Sequence, residues 1–324
     1  MTDRLRSHAD QWRDIAALDD DAAAELIRRD RIDVLVDLAG HMAKNRLLVL
    51  ARKPAPVQAT YLGYPNGTGL RQIDYRLSDG VADVAGTEEH YVETLIRLPG
   101  CAWCYRAPED APAVVDAPAT RNGFVTFGSF NKFPKISPPL LKMWSQILAA
   151  VPGSKLLIKA KSLGDSSTRA VAARMFDAAG IAADRVTFTG WHGETAEHLA
   201  MYGQVDIALD TFPYHGTTTT CEALWMGAPV VSLAGTTHVS RVGASLLTAV
   251  GRNDLVATSQ TQYVQTAVAL ANDRSRLSEL RATMRDRMRA SPLIDAAGFT
   301  RNLEAAYREM WRSSSLSPVR REEG

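Results

Sequence analysis

The sequence predicts an α/β fold in which the second half of the chain is a doubly wound parallel sheet. Strand-like segments in this half are largely apolar, and they read GFVTFGSF (123–130), SKLLIKA, RVTFTG, VDIALDT and APVVSLAG. Amphipathic helical segments alternate with them, and the first has an apolar face formed by Leu140, Leu141, Trp144, Ile147, Leu148 and Val151. Strands without a polar face indicate a parallel sheet that helices cover on both sides.

The helices of this half follow from local signals. Ser137 can cap the first helix, with Pro138 and Pro139 in its first turn. Further helices are expected at about 167–179, near 195–202, after a run of threonines at 217–220, and again after APVVSLAG. The stretch 259–314 reads as helical, and its last helix carries an apolar stripe of Phe299, Leu303, Tyr307 and Met310. The tail LSPVRREEG is expected to fray.

The first part of the chain contains a smaller set of alternating elements. A helix is expected in DDAAAELIRRD from residue 20, a strand within IDVLVDLAG (32–40), and then another helical stretch. Shorter strands follow in APVQATYLGYP, DYRLSD and TLIRLPG. The acidic run Asp19 to Asp21 starts a predicted helix, where the helix dipole favours negative charge, so it is interpreted as a helix start and not as a metal site.

A loose segment rich in proline and alanine, RAPEDAPAVVDAPATRNG (106–123), is interpreted as an interdomain linker. The predicted organisation is an N-terminal Rossmann-like domain with linker at 1–118. A C-terminal Rossmann-like domain is predicted at 119–290, and a helix that packs back, followed by the tail, at 291–324.

Composition excludes several classes of protein. The chain has 324 residues, 46% hydrophobic and 23% charged, with a net charge of +1, which is typical of a globular protein with a real core. This charge favours neither nucleic acid nor a membrane surface as a partner. No apolar run approaches the length of roughly 18 residues that spans a bilayer. The charged N-terminus lacks a signal-peptide core, so a cytoplasmic location is expected.

Cys101, Cys104 and Cys221 are too few for a disulfide framework. Cys101 and Cys104 form a CxxC, but a proline-containing acidic loop follows where a redox motif would open a helix. A zinc site would need a second ligand pair. Both cysteines are therefore expected to be small packing residues.

Polar residues collect after four of the predicted strands. The segments are GSFNKFPK (128–135), TGWHGETAEH (189–198), DTFPYHGTTTT (210–220) and AGTTHVSR (234–241). Ligands bind doubly wound sheets outside the carboxyl ends of the strands, so these segments predict a cleft for a polar ligand.

The threonine run predicts an anion site. Gly216 allows a close turn, and Thr217, Thr218 and Thr219 then begin a helix whose first N–H groups are unpaired. Their hydroxyls add donors for a phosphate or diphosphate. The alternative is a plain capping box between Thr219 and Glu222, which would leave Thr217 and Thr218 unexplained.

Three further residues are candidates at the same edge. Lys135 follows the strand at 123–130 and can neutralise a phosphate oxygen, although a solvated surface lysine is the alternative. Lys132 is a weaker candidate of the same kind. His198 lies just inside a helix, where it either reaches a ribose or phosphate or supports packing between helix and sheet. No GxGxxG, P-loop or GxSxG motif is present, and no His/Asp/Glu spacing suggests a metal.

Together these motifs resemble the catalytic region of the protein O-GlcNAc transferases and their SPINDLY relatives. The resemblance runs from about residue 12 to 314 and is carried by KPAPVQATYLGYPNGTGL, DYRLSD, FVTFGSFNKFPKI, LDTFPYHGTTTTCEALWMGAPVVSLAG and RVGASLLTAVG. It implies a GT-B fold, with two Rossmann-like domains facing a cleft and the N-terminal one, at 1–118, incomplete here. It also implies that the C-terminal domain, at 119–290, binds the nucleotide sugar. The implied activity is metal-independent, inverting transfer of a sugar, most simply GlcNAc from UDP-GlcNAc, to Ser or Thr of a protein acceptor, without a cofactor.

The resemblance also implies roles for individual residues. Lys135 matches the lysine that neutralises the diphosphate leaving group, and Thr217 to Thr219 match the segment that grips the phosphates. Glu222 falls where the family has an acidic residue on the ribose, and His198 matches a nucleotide-contacting histidine. Asn131 and Lys132 flank the phosphate side. From the N-terminal domain, His41, Gly63, Tyr64 and Pro65 would face the sugar or the acceptor.

Two departures from the family pattern leave alternatives open. Thr195 stands near the position where the better-known family members have a lysine that stacks on uracil, so a GDP-fucose donor, as in SPINDLY-type O-fucosyltransferases, is an alternative. The resemblance also implies that an HPxxH histidine and tandem helical repeats precede residue 1 in longer relatives. The chain is therefore expected to be truncated, and a non-catalytic nucleotide-binding remnant is a further alternative.

Overall fold

The computed structural model of the chain describes residues 2–191 and 193–314. Contacts divide it into two compact units. The first unit holds the described residues up to 77, those at 88–96 and those from 304 onward, and the second holds 78–87 and 97–303. Among the described residues, no helix combines the length and apolar character that crossing a membrane requires.

The first part of the chain forms a four-stranded sheet with three short helices. The elements are α1 (Thr2–Arg6), α2 (Asp20–Asp30), β1 (Val34–Asp37), α3 (Leu47–Ala51), β2 (Val57–Thr60), β3 (Tyr75–Asp79) and β4 (Thr94–Leu98). The strand order is β1-β2-β3-β4, and β1 pairs parallel with β2, as β2 does with β3. All the strands and both main helices expected here from the sequence are present.

Helix α2 begins as predicted. The Asp19 carboxylate accepts a hydrogen bond from the Ala22 backbone N–H at 2.8 Å, which satisfies one unpaired donor of the first turn. Ala23 and Ala24 of this helix are buried against Val49 of α3. Two small residues on one face let the helix approach its neighbour closely.

The second unit contains a six-stranded sheet. Its strands are β5 (Thr126–Ser129), β6 (Lys155–Lys159), β7 (Val186–Thr189), β8 (Ile207–Leu209), β9 (Val230–Leu233) and β10 (Val256–Ala257). The helices that follow β4 in the chain are α4 (Ala119–Asn122), α5 (Pro138–Ala150), α6 (Ser166–Ala178), α7 (Thr195–Ala200), α8 (Thr218–Trp225), α9 (Val242–Ala249), α10 (Gln260–Asn272), α11 (Arg274–Arg289) and α12 (Ala296–Ser313).

All pairings in this sheet are parallel, and the strand order is β10-β9-β8-β5-β6-β7. In chain order the strands therefore run outward in one direction from β5 to β7 and in the other from β8 to β10. This is the Rossmann arrangement, and the order reverses between β5 and β8. The crevice outside the carboxyl ends of β5 and β8 is the position at which such sheets bind ligands.

The core of the second unit is one continuous cluster of buried apolar side chains. Its largest fully buried members include Trp144 and Leu140 of α5, Phe127 of β5 and Tyr263 of α10. The apolar face predicted for α5 is thus the face that packs on the sheet. Ser137 occupies the N-cap position of α5 as predicted, but its side chain makes no cap hydrogen bond, because its hydroxyl donates to the Phe212 carbonyl oxygen at 3.0 Å.

The segment 106–123 packs within the second unit. Arg285 donates to the Pro112 carbonyl oxygen at 2.8 Å and Arg281 to that of Val115 at 2.8 Å. The predicted domain boundaries after residues 118 and 290 stay a prediction, and the contact-based units divide the chain differently. The segment LSPVRREEG (316–324), which was predicted to fray, lies outside the described residues.

The two cysteines of the CxxC differ in environment. Cys101 is buried, and burial raises the pKa of its thiol to about 12. Cys104 is exposed, so the prediction that both are packing residues is wrong for Cys104. Cys104 lies on a segment without regular secondary structure, so its exposure could not be predicted from a helical or strand periodicity.

Candidate active site

The loops that leave β5 and β8 meet at the point where the strand order reverses. Asn131 lies two residues beyond β5, and Thr219 lies in the first turn of α8, which follows β8. The Thr219 hydroxyl donates to Asn131 Oδ1 at 3.0 Å. This contact brings together two residues predicted for the nucleotide site, which are 88 positions apart in the sequence.

The turn between β8 and α8 is organised by the buried carboxylate of Asp210. Its Oδ1 accepts from the backbone N–H groups of Thr211 at 2.9 Å and Gly216 at 2.8 Å. Its Oδ2 accepts from the Ser232 hydroxyl at 2.8 Å. These charge-assisted hydrogen bonds tie the start of the turn, at Thr211, to its end, at Gly216, and stabilise its backbone.

Gly216 fits this turn because no side chain can be accommodated there. A Cβ at this position would overlap the Thr219 hydroxyl and would stand 2.9 Å from Asn131 Oδ1. The close approach of the two loops, and not an unusual backbone angle, is what requires glycine. The predicted role of Gly216 in a close turn agrees with this geometry.

Helix α8 begins at Thr218, with Thr217 in the capping position and without a cap hydrogen bond from its side chain. The capping-box interpretation is wrong, because Thr219 contacts Asn131 and Glu222 contacts His198. Thr218 is exposed, and Thr217 and Thr219 are partly exposed. The N–H groups of the first turn of a helix have no intrahelical partner, so this end of α8 has the chemistry of an anion site.

The side chain of Lys135 contacts the loop that leads into α8. Its Nζ donates to the His215 carbonyl oxygen at 2.6 Å and lies 3.9 Å from the centroid of the Tyr214 ring. The pKa of this amine is lowered to about 8, chiefly by burial; the charge of Asp210 opposes the shift and that of Lys132 adds to it. The alternative of a solvated surface lysine is wrong, because the side chain is half-buried and its amine is anchored to the backbone.

The carbonyl that holds Lys135 belongs to a fully buried histidine. His215 Nδ1 accepts from the Gly243 N–H at 2.9 Å, and Nε2 contacts the Leu233 carbonyl oxygen at 2.9 Å. Nδ1 is an acceptor in these contacts and Nε2 a donor, so the ring is neutral. Burial also lowers the pKa of His215, with Asp210 opposing the shift.

His198 takes part in a second cluster, at the carboxyl ends of β6 and β7. Its Nε2 lies 2.9 Å from Glu222 Oε2, and its Nδ1 contacts the ammonium group of Lys159. An ammonium group only donates, so Nδ1 accepts and the Nε2 proton is directed to Glu222. The sequence left two alternatives for His198, contact with a ribose or phosphate and a role in packing. Both remain open, because the residue joins α7 to α8 and also lies at the ligand-binding edge of the sheet.

Several residues of the site escaped the sequence analysis. In the sequence, Lys159 has the pattern of a polar residue that ends a strand. Asp210 and His215 have the pattern of loop residues. Trp191 follows β7, and its ring stacks on the His198 ring with centroids 5.6 Å apart and planes 17° apart. Their positions could have identified them: each lies at or just beyond the carboxyl end of a parallel strand, where the ligand is expected.

Lys132 is exposed, and its side chain makes no hydrogen bond or ion pair with the part of the chain that the structure describes. Its influence on the site is electrostatic, through Lys135. Nor does the described chain contain a group of three or more His, Cys, Asp or Glu side chains that could hold a metal ion.

The four residues predicted in the first unit lie in two loops at the carboxyl ends of β1 and β2. His41 Nε2 contacts the Thr68 carbonyl oxygen at 2.8 Å, and its ring meets the edge of Tyr64 at 5.2 Å. A Cβ on Gly63 would overlap the Leu38 carbonyl oxygen, so glycine is required there. Pro65 is half-buried in the same loop.

Comparison with known proteins identifies the family. The model of glycosyl transferase family 41 matches residues 2–104 and 118–303. A protein from Petunia hybrida described as "Probable UDP-N-acetylglucosamine--peptide N-acetylglucosaminyltransferase SPINDLY" is 46% identical over 96% of this chain and 33% of its own length. The Arabidopsis thaliana protein with the same description ending in SEC is 31% identical over 95% of this chain and 32% of its own length. The chain thus spans about a third of the length of these relatives.

Among solved structures, an O-GlcNAc transferase mutant from Thermobaculum terrenum superposes with a TM-score of 0.91 and 41% identity. The match covers 96% of this chain and 59% of that one. Sucrose-phosphate synthase from Thermosynechococcus elongatus matches with a TM-score of 0.54 at 15% identity, which is a likeness of fold alone. The fold is therefore of the GT-B class, which confirms the fold class predicted from the sequence.

Proposed function

This chain belongs to glycosyltransferase family 41, and on that premise we propose that it transfers a sugar from a nucleotide donor to serine or threonine hydroxyls of proteins. The donor we propose is UDP-GlcNAc, because the relatives described above carry that donor in their names. The names of those relatives give no support to GDP-fucose. That alternative was considered because Thr195 stands near the position of the lysine that the resemblance places on uracil.

The observation that carries this proposal is the pairing of Lys135 with the start of α8. The Lys135 amine is held on the carbonyl oxygen of His215, two residues before Thr217, the capping residue of that helix. A cation is thus anchored two residues before the capping residue of a helix whose first backbone N–H groups have no intrahelical partner. Both stabilise negative charge, and a nucleoside diphosphate that leaves a sugar gains charge on its terminal phosphate.

The proposed reaction is a single displacement. The acceptor oxygen forms a bond to the anomeric carbon, the bond from that carbon to the diphosphate oxygen breaks, and the electron pair stays on the departing UDP. The hydroxyl proton goes to a base. Attack opposite the leaving group inverts the anomeric centre, and Lys135 with the first turn of α8 stabilises the diphosphate without a metal ion.

The remaining predicted residues have proposed roles around this centre. Asn131 fixes Thr219, and Glu222 with His198 borders the place of the ribose. For His41, Gly63, Tyr64 and Pro65 we propose contact with the sugar or the acceptor, the role that the family resemblance implies. Lys132 is proposed to add positive charge on the phosphate side.

The test compares UDP and GDP as ligands of the purified chain, then UDP-GlcNAc and GDP-fucose as donors. A nucleotide at about 100 times its dissociation constant should stabilise the folded chain by roughly 2.7 kcal/mol. Stabilisation by UDP, together with transfer detected by mass spectrometry of a protein acceptor, would support the proposal. Nucleotide binding without transfer or donor hydrolysis would instead favour the non-catalytic alternative.

A further inference from the structure

A buried histidine that the proposed reaction does not use lies in the segment that follows β9. His238 is 6% exposed and belongs to AGTTHVSR (234–241), one of the four segments predicted to border the cleft. Its Nδ1 lies 2.7 Å from Asp83 Oδ2, and a carboxylate only accepts hydrogen bonds, so Nδ1 carries a proton. Nε2 has no hydrogen-bond partner among the described residues, yet it is not one of their unpaired polar atoms that are sealed from solvent. The neutral ring therefore offers an open acceptor at an otherwise buried position.

The His238 ring is held in place by groups of the second unit. Asp83 is completely buried, and its Oδ2 also accepts a hydrogen bond from the Ser78 hydroxyl. The Trp103 ring lies beside the histidine, with ring centroids 5.8 Å apart. A carboxylate at one ring nitrogen fixes the tautomer and the orientation of an imidazole. The other nitrogen is then presented in a defined direction, which suits the recognition of a hydroxyl group.

Backbone contacts join His238 to the proposed diphosphate site. Lys135 donates to the His215 carbonyl oxygen at 2.6 Å. The His215 N–H donates at 3.1 Å to the carbonyl oxygen of Val239, the residue after His238. The segment that carries His238 is thus hydrogen-bonded to the residue that anchors the proposed diphosphate cation.

The order of the strands indicates which part of the donor lies near His238. The proposed ribose contacts lie at the carboxyl ends of β6 and β7, and the proposed diphosphate site lies at those of β5 and β8. The next strand in the same direction is β9, and neighbouring strands are about 4.8 Å apart. A nucleotide sugar continues from the diphosphate into the sugar. The sugar is therefore expected near the carboxyl end of β9, where His238 lies.

We propose that His238, positioned by Asp83, binds a hydroxyl group of the sugar that the donor carries. Nε2 accepts the hydrogen bond from that hydroxyl, and Asp83 acts only through the ring. This inference rests on the proposed function, because it takes the start of α8 as the diphosphate site. A nitrogen placed to pair with a hydroxyl discriminates against a sugar that lacks it, since the nitrogen is then left unpaired. His238 thus contributes to the choice of sugar and not to the binding of the nucleotide.

The experiment compares calorimetric affinities of the chain for UDP-GlcNAc and for UDP, which lacks the sugar. The variants are His238→Ala, which removes the ring, and Asp83→Asn, which keeps the size of the side chain but removes its charge. His90→Ala is the matched control, because His90 is exposed and belongs to the first unit. Circular dichroism verifies that each variant is folded. Derivatives of UDP-GlcNAc that lack one hydroxyl of the sugar are titrated into the wild type and into His238→Ala.

We expect His238→Ala to weaken UDP-GlcNAc about tenfold and to leave UDP unchanged. Asp83→Asn should cause a smaller loss in the same direction, and His90→Ala should behave as the wild type. One deoxy derivative should bind the wild type about tenfold more weakly than UDP-GlcNAc does. His238→Ala should bind that derivative and UDP-GlcNAc equally, because the partner of the missing hydroxyl is absent.

Three results would overturn the sugar contact while the proposed function stands. One is a His238→Ala variant that binds UDP-GlcNAc as tightly as the wild type. Another is an equal loss for UDP, as the ring would then be supporting the loop. The third needs no variant: a wild-type chain that binds every deoxy derivative as tightly as UDP-GlcNAc. A wild-type chain that binds neither UDP nor UDP-GlcNAc would overturn the proposed function together with the sugar contact.

Discussion

The Lys135 amine donates a hydrogen bond to the carbonyl oxygen of His215 at 2.6 Å. The His215 ring is completely buried and is held at both nitrogens by backbone groups, those of Leu233 and Gly243. Its backbone N–H donates to the Val239 carbonyl oxygen at 3.1 Å. The position of the proposed diphosphate cation is therefore set by the backbone of β9, α9 and the loop between them.

Replacing Lys135 with alanine should abolish transfer while the chain stays folded. The side chain supplies positive charge to the leaving diphosphate, and the ring beneath its amine, that of Tyr214, is exposed and not part of the core. Loss of one such charge-stabilising group costs on the order of 10²- to 10³-fold in turnover. Donor hydrolysis and acceptor labelling measure the loss, and Lys142→Ala, an exposed lysine on α5, is the control. An active Lys135→Ala enzyme would refute the role of this residue.

Binding of UDP should take up protons at about pH 8.5. The pKa of Lys135 is about 8 in the free chain because the amine is buried, so part of the population is neutral there. The bound diphosphate favours the charged form and raises this pKa, so protons are taken up, and affinity falls as pH rises through the free-chain value. Calorimetry in two buffers with different ionisation enthalpies measures the uptake. The effect should vanish in Lys135→Met, and persistence in that variant would assign it to another group.

Replacing Lys159 with methionine should weaken nucleotide binding. The Lys159 ammonium donates to His198 Nδ1, and His198 Nε2 lies 2.9 Å from Glu222 Oε2, so the lysine helps to hold the histidine ring against α8. Loss of a hydrogen bond from a charged donor should lower the affinity for UDP by about tenfold. Calorimetric titration with UDP measures the loss.

The control for this prediction is Lys161→Met, which changes an exposed lysine two positions further along the chain. Its affinity for UDP should equal that of the wild type. An unchanged affinity for Lys159→Met as well would mean that Lys159 does not position the site.

Replacing Gly216 with alanine should weaken both the fold and nucleotide binding. The new methyl group would overlap the Thr219 hydroxyl and crowd Asn131, so the contact between the two loops must open. Overpacking of this kind costs about 1–3 kcal/mol. Chemical denaturation and UDP titration measure the two effects. Gly80→Ala is the matched control, since a Cβ there meets no atom within 4 Å, and a tolerant Gly216→Ala would contradict the close-packed turn.

The second-unit fold was predictable because its signals are local. Each strand is a short apolar run, and α5 carries its buried face at helical spacing, so Leu140, Trp144 and Ile147 were predicted as one face and are buried together. Ser137 marks the limit of such reasoning. Its hydroxyl can bond either to the backbone N–H groups of the first turn of α5 or to the Phe212 carbonyl oxygen, 75 residues away. Which of the two it contacts depends on the tertiary structure.

The candidate site was predictable in part for the same reason. Lys135 and the threonines follow strand ends, and a parallel sheet brings such ends together. Lys159 was not predicted, because a lysine that closes an apolar strand has the pattern of a residue turning toward solvent. Its partner His198 lies 39 positions later, on a different element. Pairings of this kind depend on strand order, which one sequence does not display.

The anchoring of the site through backbone atoms has a consequence for how the chain can vary. Lys135 is tied to a carbonyl oxygen, and the anion-binding groups at α8 are amides, which every residue except proline provides. A substitution that leaves the backbone in place therefore leaves these two groups where they are. Substitution of Gly216, Asp210 or His215 would instead move the backbone itself.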